Sequence, residues 1–437
     1  MRTTSPRHGH RRAVTPVMLG MLLVGIAGAP AHAETVREQQ WFLDAMKAEQ
    51  MWQVSTGKGI TVAVIDSGVS PATPDLEGQV LPGKDYAENQ SGDEHTDHDG
   101  HGTGMAALIA GTGAYGGGTG SYGLAPGTKI LPIRMPKSGT AANQVEGNKR
   151  FNENVPKAIR YAVDAGAQVI NISLGRAEGS PQLTEAVKYA LDKGSLIFAA
   201  VGNSGDEANE PEYPAATPGV VGVGAVGKDL RKTAESQHGP QVDMAAPGEA
   251  IVAACTGGTG FCKSSGTSDA TALASASAAL IWSKHPTWTN NQVLRVMLNT
   301  IGAPTDGSKR NDSIGYGIVR PRIALQNPGD PGPADEYPLP DLAAAASASP
   351  SPEPSATDAG NAPAEDKNTE EAAASDSSKG NNKLSTVLAA AAVVALLGIG
   401  VAVYIIARNR HPAHLTAPHP TAPYAPPPDR PRPPRTR

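Results

Sequence analysis

Aromatic residues make up only 4% of this 437-residue chain, and the formal net charge is −5. It therefore carries neither the stacking platforms nor the basic footprint that nucleic-acid binding requires, and no nucleic-acid partner is expected. Cysteine is scarcer still: Cys255 and Cys262 are the two in the chain. Two thiols alone make a poor zinc site. Outside the cytosol, a pair flanking the glycine-rich stretch TGGTGF is expected to close a small local loop as a disulfide. A dinucleotide fingerprint is missing as well, because the G-x-G-x-x-G match at Gly111, Gly113 and Gly116 follows a helix pattern rather than a strand. Histidine and aspartate do cluster, at His95, Asp97, His98, Asp99 and His101, but without the i, i+4 pairing of a helical zinc motif. No cofactor and no catalytic metal are implied.

Both ends of the chain are non-globular in composition. Residues 1–33 read as an export signal, with basic Arg7, Arg11 and Arg12, an apolar run at 17–27, and the A-x-A site Ala31-His32-Ala33. An uncleaved membrane anchor is the other reading, disfavoured because the apolar run is short for a bilayer. Residues 327–383 are dominated by Pro, Ala, Ser, Asp and Glu and are expected to form a disordered spacer. Residues 384–407 are apolar, uncharged and long enough to be a transmembrane helix, and Arg408 and Arg410 follow directly. By the positive-inside rule the Pro-rich basic tail, 408–437, lies in the cytoplasm. The rest of the protein is then extracytoplasmic, held at the cell membrane by a single pass.

The block between, 34–326, is near the upper limit for one hydrophobic core. Its apolar runs alternate between strand and helix patterns. Strands are expected at 62–65, 129–133, 169–172, 196–201, 220–226 and 251–254. Helices are expected from His101 onward and over 154–165, 182–193 and 267–284. Thr289 and Gln292 form a capping box for a last helix to about Asn299. This alternation predicts an α/β fold of three layers, with a mainly parallel sheet between helices.

Three stretches each supply one member of a nucleophilic triad. Asp66 ends the strand VAVID, at the sheet edge where α/β sites form, although turns and caps also use aspartate. His101 stands among glycines 100, 102 and 104 at a helix start, and neutral imidazole is the usual base for a serine hydroxyl. Ser268 opens the long Ala-rich helix, where backbone N–H groups and the helix dipole favour a developing oxyanion. By itself a serine there reads more simply as an N-cap. Asn203, in AAVGNSG, follows a buried strand and is placed to aim an amide at the same oxyanion. Asp, His and Ser in that chain order match one known order of the serine triad.

The stretches VAVIDSGV, HGTG, VINISLG, AAVGNSG, EYPAATPGVVGVGAV and APG…SGTS resemble the subtilases, in that family's order and spacing, from Gly57 to Gly317. The resemblance implies a subtilisin-like fold and a serine endopeptidase acting on protein or peptide substrates. Asp66 would orient the imidazole, His101 move the proton, Ser268 attack the carbonyl, and Asn203 donate to the oxyanion. It also implies that Ser173, Leu174 and Gly175 pair with extended substrate, and that Ala199, Ala200 and Gly202 line the primary specificity pocket. Ala272 departs from the pattern, which has proline there. Glu212 falls near the pocket floor in the family; it is an acidic specificity floor or, the favoured reading, a solvated loop charge.

About thirty residues separate Ala33 from Asp66, leaving no room for a folding propeptide. A segment from Glu34 to Val54 packed on the domain is expected instead. With the signal, spacer, membrane span and basic tail, this layout resembles the mycosins, the membrane-anchored subtilases of type VII secretion. That likeness implies secretion-system membrane components as partners and limited proteolysis of exported proteins. Two other readings stand beside it, a scaffold with dispensable catalysis and a general degradative surface protease.

Overall fold

The computed structural model describes residues 34–87, 90–137 and 141–348. The expected export signal, most of the spacer, the 384–407 span and the basic tail lie outside the described residues. Among those described, no helix is long and apolar enough to cross a membrane.

Seven parallel strands form the central sheet: β1 (Thr61–Asp66), β2 (Lys84–Asp85), β3 (Lys129–Arg134), β4 (Val169–Ile172), β5 (Leu196–Ala200), β6 (Val221–Val226) and β7 (Met244–Pro247). Their order is β2-β3-β1-β4-β5-β6-β7. After β1 the chain lays β2 at one edge and inserts β3 between them, then crosses to add β4 on the other side of β1. The boundary between β1 and β4 is thus a topological switch point, where a crevice opens at the carboxyl ends of the strands. Strands β1 and β4 to β7 are buried almost throughout, as a sheet covered on both faces requires. The expected strand at 251–254 joins no parallel neighbour. Instead β8 (Ile251–Ala254) pairs antiparallel with β9 (Phe261–Ser264) as a separate hairpin, clipped by the Cys255–Cys262 disulfide.

Ten helices are described. Three short ones, α1 (Val36–Gln39), α2 (Trp41–Met46) and α3 (Ala48–Trp52), form the amino-terminal segment. It packs on the domain as expected: Phe42 and Leu43 are fully buried, and the Gln40 side chain bonds both to the Tyr122 backbone and to the Val252 carbonyl. Next come α4 (His101–Ala110), α5 (Gln144–Asp164), α6 (Pro181–Asp192) and α7 (Thr267–Lys284). Then α8 (Asn290–Asn299), α9 (Pro321–Gln326) and α10 (Asp341–Ala348) complete the set. One apolar cluster lies between the sheet and α4 and α7, a second between the sheet and α5 and α6.

Two boundaries differ from expectation. Helix α5 begins at Gln144, ten residues before the expected start, with Asn143 accepting from the Glu146 amide as its N-cap. Residues 144–153 are mostly polar, so the apolar period that marks the later turns is absent from them. Pro156 then lies inside the helix, where it gives up one backbone bond. The second difference concerns the spacer, which does not start at Asn327. Arg295 donates to the carbonyls of Pro331, Pro333 and Glu336, Leu339 is buried, and Asp341 accepts from the Gly219 amide at 2.6 Å. Residues 327–348 are held largely through their own backbone carbonyls, which composition does not reveal.

Helix α7 fixes the position of the crevice. Most of its buried positions are Ala, Ser or Thr, joined by Leu273, Leu280, Ile281 and Trp282, and small side chains let the helix lie close against the sheet. A polar chain ties it there: Ser275 Oγ donates to Asn171 Oδ1 (3.0 Å), and Asn171 Nδ2 donates to Ser173 Oγ (3.1 Å). Replacing Asn171 by alanine takes the acceptor from the buried Ser275 hydroxyl and one of two partners from Ser173, and should lower stability by about 1–3 kcal/mol. A lower urea midpoint at unchanged slope is the expected readout.

Candidate active site

Asp66 ends β1 with a fully buried side chain. Its Oδ1 accepts from the Ser67 amide (2.7 Å) and from His101 Nδ1 (2.8 Å), while Oδ2 is buried without a protein partner among the described residues. His101 is the first residue of α4, and its imidazole remains 40% exposed. The close fit of helix to strand depends on Gly102: a Cβ there would lie 2.2 Å from the Gly68 carbonyl oxygen and 3.0 Å from Asp66 Cβ.

The start of α4 is held by side chains from outside the helix. Ser67 Oγ accepts from the Gly102 amide (3.0 Å) and donates to Asp97 Oδ1 (2.9 Å). Asp97 Oδ1 also accepts from the Gly100 amide (2.8 Å), and Oδ2 accepts from the amide and hydroxyl of Thr103 (2.8 and 2.7 Å). A carboxylate at a helix N-terminus satisfies free N–H groups and suits the dipole. The sequence groups Asp97 with neighbouring histidines as metal-like; the fold uses it as this remote cap. His95 and His98 face the carbonyls of Leu81 and Ser91, and Asp99 pairs with Lys137.

The Asp66 carboxylate, and after it burial and then the Asp66 hydrogen bond, act on His101; the carboxylates of Asp269 and Asp97 add to the upward pull. Attraction outweighs desolvation, and the imidazole is pushed up to about 9. Asp269, next to Ser268, was not singled out in the sequence. It is 2% exposed, and burial pushes it up to about 6 against the Ser264 hydrogen bond and the His101 charge.

Ser268 lies in the first turn of α7 and is reciprocally bonded to the end of β4. Its Oγ donates to the Ser173 carbonyl (3.4 Å), and Ser173 Oγ donates to the Ser268 carbonyl (3.3 Å). The structure thus pairs Asp66 with His101 but gives the Ser268 hydroxyl to Ser173 rather than to the imidazole. Asn203 follows β5, and its Oδ1 accepts from the amide and hydroxyl of Thr267 (2.9 and 3.1 Å). With Oδ1 so held, Nδ2 borders Gly266, where a Cβ would come within 3.1 Å of it. Ala272 is buried within unbroken helix, so the amide that proline would lack is retained.

The expected substrate segments have distinct roles to offer. Leu174 and Gly175 amides have no partner among the described residues, whereas the Gly175 carbonyl accepts from the Arg176 guanidinium at 2.7 Å. Ala199 is fully buried with its methyl in the core, and Ala200 is 6% exposed. Gly202 cannot carry a side chain: a Cβ would meet Gln237 at 2.4 Å and Glu212 at 2.9 Å. Glu212 is therefore not a solvated loop charge. It packs half-buried against Gly175, Gly202 and Gln237, and desolvation raises its pKa against the pull of Arg176.

Because the folded imidazole is held above its ordinary value of about 6.5, its stabilising charge is present below that pH and lost as pH rises through about 9. An NMR titration of His101 should show a midpoint well above 6.5, brought down by Asp66→Asn.

Comparison with known proteins follows the same lines. Thermitase of Thermoactinomyces vulgaris is 35% identical over 252 residues, 56% of this chain and 83% of that protein. A solved structure of "MycP3 protease from the type VII (ESX-3) secretion system" is 33% identical at a TM-score of 0.56, covering 65% of this chain and 87% of that one. A chain in the "periplasmic assembly from the ESX-5 inner membrane complex" is 28% identical at a TM-score of 0.60, covering 71% and 89% respectively. A family model described as "Subtilase family" matches residues 57–317, more than half the chain. This chain belongs to the subtilase family and is a serine endopeptidase similar to the type VII secretion mycosins.

Proposed function

We propose that the chain is a membrane-anchored, extracytoplasmic endopeptidase with an Asp66–His101–Ser268 triad, performing limited processing linked to type VII secretion. The observation that carries the catalytic reading is the 2.8 Å bond from His101 Nδ1 to a fully buried Asp66. It fixes the tautomer, leaving Nε2 as the base. The 3.4 Å Ser268–Ser173 contact is weak, and exchanging it for His101 when substrate binds is within the ordinary tightening of catalytic hydrogen bonds.

In this mechanism Nε2 takes the Ser268 proton as Oγ attacks the peptide carbonyl. The tetrahedral oxyanion accepts from Asn203 Nδ2 and the Ser268 amide, with the dipole of α7 adding to the field. The imidazolium, stabilised by Asp66, then protonates the leaving amine, and water repeats the sequence on the acyl-enzyme. Extended substrate would add to the Leu174 and Gly175 amides, with Ala199, Ala200 and Gly202 walling the primary pocket. In the same reading residues 1–33 direct export, the chain beyond 348 is a spacer, and 384–407 anchors it with the 408–437 tail in the cytoplasm.

The likeness to a chain of the ESX-5 periplasmic assembly also supports a second reading, a structural contribution to such a complex. Two variants separate the possibilities. Ser268→Ala should abolish fluorophosphonate labelling and lower kcat at least ~1000-fold. Asn203→Ala should keep labelling but lower kcat about 100- to 1000-fold. A Ser268→Ala protein that still labels removes the nucleophile assignment. Secretion that survives Ser268→Ala but not deletion of the chain favours the scaffold, and secretion indifferent to both removes the type VII link.

A further inference from the structure

Gly175 and Gly202 lie just beyond β4 and β5, on two neighbouring backbone segments, and the space beside each is already taken. A Cβ on Gly175 would lie 2.1 Å from Glu212 Oε2, and one on Gly202 would lie 2.9 Å from Glu212 Cδ. A single carboxyl group thus sits against both segments. Gln237 closes the same gap from another direction, since a Cβ on Gly202 would lie 2.4 Å from its Nε2. That nitrogen donates to Ser204 Oγ at 2.9 Å and to Glu212 Oε1 at 3.3 Å, and Gln237 is fully buried. Its backbone N–H donates to the Gly202 carbonyl at 3.0 Å. The chain that carries Glu212 is pinned as well, because Arg176 and Tyr213 exchange backbone hydrogen bonds of 3.0 and 2.7 Å.

Resting on the substrate edge and primary pocket of the function proposed above, we propose that Glu212, backed by Gln237, determines specificity by filling that pocket. Its carboxyl then restricts the residue before the scissile bond to a small, uncharged side chain such as Gly, Ala or Ser. An extended substrate added to the Leu174 and Gly175 amides turns successive side chains to opposite faces. The one that enters between Gly175 and Gly202 meets Glu212 at once. A Leu or Phe there has to displace a half-buried carboxyl from Gln237 and from both glycines. A Lys or Arg fares no better, because a cation already stands beside the acid. The Arg176 guanidinium is bonded to the Gly175 carbonyl at 2.7 Å, and Arg176, Gly175 and Glu212 line one hollow. Selection of this kind comes from a clash built against the larger substrate rather than from new contacts to the smaller.

The test compares kcat/KM for peptides that differ only in the residue before the scissile bond: Ala, Leu, Phe or Lys. The wild-type chain should favour Ala by at least ~10-fold over each of the others. Glu212→Gly should raise Phe relative to Ala by ~10-fold or more. Glu212→Gln keeps the volume, drops the charge and should retain the wild-type order. Fluorophosphonate labelling of Ser268 reports an intact nucleophile in each protein, and Glu212→Ala carries the same comparison if the glycine variant does not label. A wild-type enzyme that cleaves after Leu, Phe or Lys as readily as after Ala overturns the proposal without any variant. So does an unchanged Phe-to-Ala ratio in a labelled Glu212→Gly or Glu212→Ala protein. Loss of the order in Glu212→Gln assigns the selection to charge and overturns it as well. Ser268→Ala distinguishes the two levels: continued hydrolysis by that variant defeats the triad reading, whereas the wrong peptide order with labelling intact defeats only this one.

Discussion

A carboxylate with no exposed surface is the constraint around which the site is arranged. Burying an ion costs several kcal/mol unless it is paired and hydrogen-bonded. Asp66 meets that condition by taking the Ser67 amide and the His101 ring on one oxygen. For the ring to reach it, the first turn of α4 must press against the end of β1, and only glycine at 102 permits the approach. That proximity in turn leaves the helix N-terminus without intrahelical partners, and Ser67 and Asp97 supply them. One buried charge thus accounts for a glycine, a serine and an aspartate on two separate segments.

Two helix N-termini meet at the switch-point crevice, each bringing a partial positive charge. Helix α4 would disfavour an imidazolium at its first residue, and the carboxylates of Asp66, Asp97 and Asp269 together reverse that tendency. Helix α7 has the opposite task, since its N-terminus suits the oxyanion of the proposed chemistry. Its depth in the sheet comes from small side chains, and its register comes from the Ser275–Asn171–Ser173–Ser268 chain. The departure from the subtilase pattern noted in the sequence, Ala272, falls in the second turn of α7.

Much of this was legible in sequence. β-branched runs located the central strands, Ala-rich composition located α7, and Thr289 with Gln292 marked a capping box that the fold contains. The start of α5 was hidden because its first turns lack an apolar face, and residues 327–348 were hidden because carbonyl oxygens, with the few side chains of Leu339 and Asp341, hold them.

The sequence by itself determined the alternation of elements, and with it which residues stand at the carboxyl ends of strands and the amino ends of helices. Those assignments follow from local periodicity and backbone chemistry. Only the tertiary structure decided that Asp97 caps a helix instead of joining a histidine cluster, that Glu212 is half-buried, and that Asp269 bears on His101. Glu212 and Asp269 depend on desolvation and on groups up to 168 residues away, and Asp97 on how the loop before α4 folds back onto that helix. No local pattern encodes such distances.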